Sequence, residues 1–190
     1  DRRMLIAGLA GAAIFVAVVT VISLPYFRVA DAFPEATRPP STVEEFSGPL
    51  SVFLLSSEES FVWGPVTQGL FDDLNNPVEK TLFPGLLILV LAIVGLRSSS
   101  LPRPLRIGFG VSVLALAVLE LGFQEEGGWL WPYRVVYEVL PGWDAIRTPG
   151  RLATFSTLSL ALLAGAGAES TVRAAKRRIA RRSPQPSARL

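Results

Sequence analysis

The sequence predicts an all-α membrane protein: about four transmembrane helices, with short interfacial helices in the outward loops. Three observations predict it. Half of the 190 residues are hydrophobic, despite 16 glycines and 15 prolines, and the mean hydropathy is +0.43. The apolar residues are gathered into uncharged runs long enough for a hydrocarbon core ~30 Å thick. Lysine and arginine are also divided unequally between the two sides that those runs define.

The first expected span is 4–24. Ala7, Gly8, Gly11 and Ala12 line one face of it, which suits close helix approach, and Pro25-Tyr26 should end it at an interface. The run is long and lacks a cleavage site followed by a mature domain, so it reads as a span and not as a signal peptide. Residues 25–76 form a long acidic outward loop. Within it Ser41-Thr42-Val43-Glu44 has capping-box spacing, with Ser41 as N-cap of a short helix that stops at Gly48-Pro49. Leu50 to Leu55 is apolar but too short to span, and reads as an interfacial or re-entrant helix. Phe61 and Trp63 suit an aromatic belt.

Asn76-Pro77-Val78-Glu79 starts the second expected span, 77–96, with Asn76 as N-cap and Pro77 at the first helical position. Pro84 should kink it. After a polar turn, the third span is 105–123, with Glu120 inside the apolar run near its outer end. Residues 124–148 form the second outward loop. They comprise a glycine-containing turn with Trp129 and Trp131, then a surface helix from Tyr133 to Leu140 with Val136, Val139 and Leu140 on one side. The fourth span, 149–168, is rich in Ser, Ala and Gly and should pack against protein. A basic tail, 169–190, follows, with Pro184 and Pro186 ending any helix there. It reads as a topology and anionic-lipid anchor, not as a nucleic-acid site.

With four spans both termini share one side. That side collects twelve of the 18 lysines and arginines, and the other holds six of them together with 13 of the 16 acidic residues. The positive-inside rule makes the termini cytoplasmic and the long loops extracytoplasmic. The whole chain reads as one membrane domain. It opens on Asp1 and its only methionine is Met4, so it is expected to be the C-terminal part of a longer chain.

Cysteine and histidine are absent, which excludes disulfides, thiolate chemistry, Cys/His metal centres and histidine triads. Chemistry must rest on carboxylates, hydroxyls, arginines or backbone groups. Thr148-Pro149 reads as the start of the last span, with a hydroxyl N-cap and proline behind it. Arg147 and Arg151 flank that start. Two cations at the positive end of a helix dipole need an anion. Either Asp144 and Glu138 neutralise them, or an external phosphate or carboxylate binds there. Arginine suits bidentate phosphate recognition, so Arg147, Arg151 and Asp144 are the candidate lipid-phosphate site.

Glu120 is an ionisable residue within a span and thus a functional candidate; the alternative is pairing with Arg134, Arg147 or Arg151. Glu45 is a candidate outward general base. Asp72-Asp73 could hold a divalent metal, but the sequence offers few further ligands, and no cofactor is expected.

The motifs also carry a resemblance. Ser41-x-x-Glu44-Glu45, Trp63-Gly64, Glu79-x-x-Leu82-Phe83-Pro84-Gly85 and Leu140-Pro141-Gly142-Trp143-Asp144-x-Ile146-Arg147-x-Pro149-x-Arg151 occur in that order before a small-residue span. This pattern resembles bacterial polytopic membrane proteins of the GT-C glycosyltransferase type, most closely their C-terminal halves, over Leu24 to Gly167. The resemblance implies inverting transfer of a sugar from a polyprenyl-phosphate donor, as in mannosyltransferase-like members, on the outer face of the bacterial cytoplasmic membrane. It implies that the catalytic aspartate lies in an earlier outward loop of the missing N-terminal part. The present segment would then bind the carrier phosphate through Arg147 and Arg151 and be inactive alone. Two rivals stand beside it. One is a non-catalytic membrane protein of the same architecture that binds lipid or a partner. The other is a transporter segment, ranked last because it predicts charges within spans lining a path and only Glu120 qualifies.

Overall fold

A computed structural model describes residues 2–33, 38–98, 100–123 and 131–182. All regular structure among them is helical. The helices are α1 (Arg2–Ala32), α2 (Pro40–Phe46), α3 (Gly64–Asp72), α4 (Leu86–Arg97), α5 (Arg103–Glu120), α6 (Trp131–Val139) and α7 (Ala153–Arg182). Short 3-10 turns cover Leu50–Leu54, Pro77–Lys80, Trp143–Ala145 and Pro149–Leu152. Two segments are long and apolar enough to cross a membrane, Ile6–Val29 and Pro149–Arg181. The expected turn around Trp129, and Pro184 and Pro186, lie outside the described residues.

The core is a bundle of α4, α5 and α7. Ala92 packs with Leu160, Leu163 and Ala164, and Ile88, Leu91, Phe109 and Val113 close around them. α4 and α7 run in the same direction: Leu82, before α4, lies by Gly150 at one end, and Ser100, just after α4, reaches the Ala166 carbonyl at the other. They cross with Gly95 against the Leu163 carbonyl and Gly167 against that of Leu91. Such backbone contact requires glycine on both helices, because any Cβ would separate them. α5 returns antiparallel, with Ser112 beside Ser159. The bundle thus has two ends. One carries the turn between α4 and α5, with Arg97, Arg103 and Arg106 near it, and the Ser100 hydroxyl there reaches the Ala166 carbonyl. The other end is covered by the short elements.

Those elements are tied by a few specific bonds. Ser47, buried at the end of α2, donates to the Val43 carbonyl at 2.8 Å and accepts the Phe123 N–H at 2.9 Å. It therefore joins α2 to the turn after α5. Gly122 has φ +65 in that turn, and a Cβ there would stand 2.6 Å from the Pro149 ring. Val52 and Leu121 form a second small core with Phe53, Leu74, Leu82 and Val118. Trp63 stacks on Phe83 at 4.7 Å and donates to the Leu54 carbonyl at 2.7 Å. Trp63 thus belongs to the packing of this cap, whereas Phe61 is 95 % exposed.

Several sequence expectations need correction. Pro25 does not end the first helix: α1 continues through it to Ala32. One missing N–H is tolerated in a helix whose described residues are largely exposed, with Gly8 and Gly11 facing open space. The capping box is not formed. α2 starts at Pro40 after Pro39 and has no side-chain cap, since two prolines set the extended-then-helical entry by themselves. The second expected span is not one kinked helix. Asn76 adopts φ 52, ψ 49, and Pro77–Lys80 forms only a 3-10 turn. An extended strap follows, in which Leu82 and Phe83 donate to the Val52 and Leu55 carbonyls at 3.2 and 3.1 Å. Pro84 disfavours helix at Phe83, and Gly85 sits at φ 97. α4 therefore starts at Leu86 and its 12 residues are about 18 Å long. The third expected span begins slightly earlier, at Arg103, and ends at Glu120.

On α6 the buried side is Tyr133, while Val139 and Leu140 are exposed. Tyr133 packs edge-on against Phe123 and Trp143, at 5.2 and 6.3 Å. Aromatic complementarity thus outweighs the aliphatic side. The helix at the fourth expected span is preceded by the turn Pro149–Leu152, and α7 itself runs to Arg182, so the described part of the basic tail is a continuation of that helix.

Candidate functional site

The end of the bundle where α7 begins gathers most of the candidate residues. Thr148 stands before the turn with φ −115, as an N-cap does, but its hydroxyl caps nothing. It is 1 % exposed and Thr148 Oγ1 has no hydrogen-bond partner. The four-residue turn separates this position from the α-helical ladder, so the helix dipole contributes less here than a direct helix start would. Charge at the site comes from side chains.

Arg147 and Arg151 converge on Glu79, at 3.7 and 3.3 Å. Arg147 also lies over the Phe46 ring, 4.4 Å from its centroid, a cation–π contact that fixes its stem. This corrects the expected partners: Asp144 and Glu138 do not neutralise the two arginines. Glu138 pairs instead with Arg134 at 2.9 Å, one turn away on the exposed side of α6. Arg134 is thereby placed outside the site.

Beyond the arginines lies a hollow of about 480 Å³, with Arg38, Arg147, Thr148, Arg151, Leu152 and Phe155 on its wall. Arg38 is a site residue that the sequence reading missed. Its backbone N–H donates to the Asp144 carbonyl at 2.8 Å, and its carbonyl accepts from the Tyr137 hydroxyl. Asp144 thus contributes through its main chain, holding Arg38 against the turn. Among the described residues Arg38 has no carboxylate partner, and Glu79 is the only one shared by the other two. The three guanidiniums and one carboxylate leave two positive charges around the hollow. The signal for Arg38 was present in the sequence as one of the few cations on an acidic side. Its nearness to Arg147 depends on a fold-back that no local pattern encodes.

Apolar surface continues from the hollow. Phe155, Leu158 and Leu162 follow Arg151 on the same face of α7 at helical spacing, and they are 59 %, 60 % and 45 % exposed. A mouth lined by three arginines therefore opens onto a hydrocarbon-compatible stripe.

The other candidates lie apart. Glu45 accepts from Asn76 Nδ2 at 3.1 Å and neighbours buried Lys80. Desolvation holds the Lys80 ammonium below its usual range, partly offset by Glu45. Glu45 is thus engaged with the 76–80 turn. Glu120 is 3 % exposed and pairs with none of Arg134, Arg147 and Arg151, which correct that expectation by binding Glu138 and Glu79. Asp72 and Asp73 are exposed at the end of α3, and no cluster of three metal-ligating side chains occurs among the described residues.

No family model, curated protein or solved structure matches the chain significantly.

Proposed function

We propose that this protein is a multi-pass protein of the bacterial cytoplasmic membrane, and that the Arg38–Arg147–Arg151 hollow holds the phosphate of a polyprenyl-phosphate carrier at the extracytoplasmic face. In this reading it is the carrier-binding part of a GT-C-type glycosyltransferase. One observation carries the proposal: three arginines and Thr148, whose buried hydroxyl has no partner, line one hollow that continues into an exposed apolar stripe. Phosphate esters offer the acceptor oxygens that such donors need, and the stripe suits the chain to which the phosphate is attached.

Four crossings are part of the reading. α1, α5 and α7 cross as helices, and α4 crosses together with the strap at 81–85. That strap is half-buried and bonded to residues 52–55, which is where non-helical backbone is tolerated at membrane depth. Arg97, Arg103, Arg106 and Arg173 sit toward the opposite end from the hollow, and their charge favours a cytoplasmic placement of that end. No carboxylate lines the hollow among the described residues. This favours binding over proton abstraction as the role of this segment, with the catalytic base supplied by another part of the full protein.

The test is binding of dodecyl phosphate to the full chain in uncharged detergent micelles. Each exposed arginine contributes about 1–2 kcal/mol to a phosphate contact. Arg147→Gln and Arg151→Gln should therefore each weaken binding roughly tenfold, with helicity unchanged. Wild-type affinity in both variants would refute the proposal.

A further inference from the structure

A second cavity, about 190 Å³, lies deeper along α7 on another face, and Glu120, Ser156, Phe53, Leu89, Val113 and Leu160 line it. Its polar end is a buried carboxyl beside two hydroxyls, with no cation among the lining residues. Glu120 is 3 % exposed and its Oε1 has no hydrogen-bond partner. Ser156 is 7 % exposed; its hydroxyl lies 3.2 Å from the Ala153 carbonyl and also hydrogen-bonds the Glu120 side chain, which leaves Glu120 Oε1 as the unpartnered atom and a lone pair of the hydroxyl free. The cations expected to pair with Glu120 are engaged elsewhere, Arg147 and Arg151 with Glu79 and Arg134 with Glu138. Thr157 adds one further hydroxyl at the exposed side of the wall.

We propose that this cavity is a binding site for a small aliphatic primary amine, with the ammonium between Glu120 and Ser156 and the hydrocarbon among Phe53, Leu89, Val113 and Leu160. An unpartnered buried carboxylate oxygen is costly, and an ion pair is the arrangement that makes a charge tolerable in an apolar setting. An ammonium brings three donors and a positive charge, enough for Glu120 Oε1 and Ser156 Oγ together. An alcohol brings one donor and no charge, and a carboxylate would repel. The volume sets the size: at roughly 30 Å³ per methylene-sized group, the space takes about six heavy atoms, as in n-pentylamine. The site is independent of the arginine hollow, which selects anions.

The experiment is equilibrium dialysis of radiolabelled n-pentylamine against the full chain in uncharged detergent micelles, with empty micelles as blank. Saturable binding of one amine per chain is expected, at least tenfold tighter than pentan-1-ol. Glu120→Gln should weaken it at least tenfold. Ala117→Leu, which fills the cavity and leaves the carboxyl in place, should abolish it and covers the case in which Glu120→Gln does not fold. Arg147→Gln and Arg151→Gln should leave it unchanged, which separates this site from the phosphate hollow. Pentan-1-ol binding as tightly as the amine, or undiminished amine binding by Ala117→Leu, would overturn the proposal.

Discussion

Replacing Gly167 by alanine tests the bundle that positions both cavities. The added Cβ would stand 2.8 Å from the Leu91 carbonyl carbon and 3.0 Å from the Gly95 nitrogen. Ordinary carbon contacts need about 3.5–4.0 Å, so α4 and α7 would have to part by about 1 Å, a gap that forfeits a quarter to a half of the dispersion energy of the atoms concerned. The obstacle is backbone, which no rotamer change relieves. We set the overpacking cost at about 3 kcal/mol, offset by about 1 kcal/mol of helix propensity gained from glycine to alanine. The net is about 2 kcal/mol of destabilisation. Gly165 lies on the same helix with nothing within 4 Å of a Cβ, and there the same substitution should stabilise by about 1 kcal/mol. At roughly 2–4 °C per kcal/mol for a chain of this size, thermal unfolding in micelles should fall by about 4–8 °C for Gly167→Ala and rise by about 2–4 °C for Gly165→Ala. A Gly167→Ala protein as stable as Gly165→Ala would refute the close crossing.

Three further outcomes are expected. Burial pushes the Tyr133 hydroxyl up to about 12, so between pH 10 and 12 the unfolded tyrosine ionises before the folded one. Stability is full well below pH 10 and declines by about 2 kcal/mol as pH rises to 12; denaturant titrations at pH 9 and 12 should show this, with a smaller decline in Tyr133→Phe. Glu79→Gln removes the negative charge shared by Arg147 and Arg151, so dodecyl phosphate binding should tighten several-fold while stability drops by no more than about 1 kcal/mol, read by dialysis and unfolding on the same preparation. Ser47→Ala leaves the Phe123 N–H without its acceptor and should cost about 1–3 kcal/mol in the same unfolding assay.

The parts of the fold that were legible in the sequence are those set by long apolar runs. α5 and the apolar half of α7 lie within a few residues of their expected bounds, because burying such runs leaves few alternatives to helix. The misread elements turn on proline and glycine. Pro25 passes within α1, while Pro84 with Gly85 keeps residues 81–85 out of helix until α4 starts at Leu86; the two differ in the glycine that follows and in the backbone acceptors at Val52 and Leu55 that hold the strap. At the site, Arg147, Thr148 and Arg151 are near neighbours in sequence, so their grouping was readable from spacing. Glu79 and Arg38 reach them only through long-range folding. Glu79 was read as part of a helix start, and its 3-10 turn instead brings it to both arginines.

Whether Arg38, Arg147 and Arg151 act as one phosphate site is measured directly by peptide-resolved labelling of the full chain with phenylglyoxal. With dodecyl phosphate present, all three arginines should be protected together, while Arg134 and Arg173, each paired with a glutamate on its own helix, label at unchanged rates. Unaltered labelling of the three, or protection of one without the others, would contradict the account.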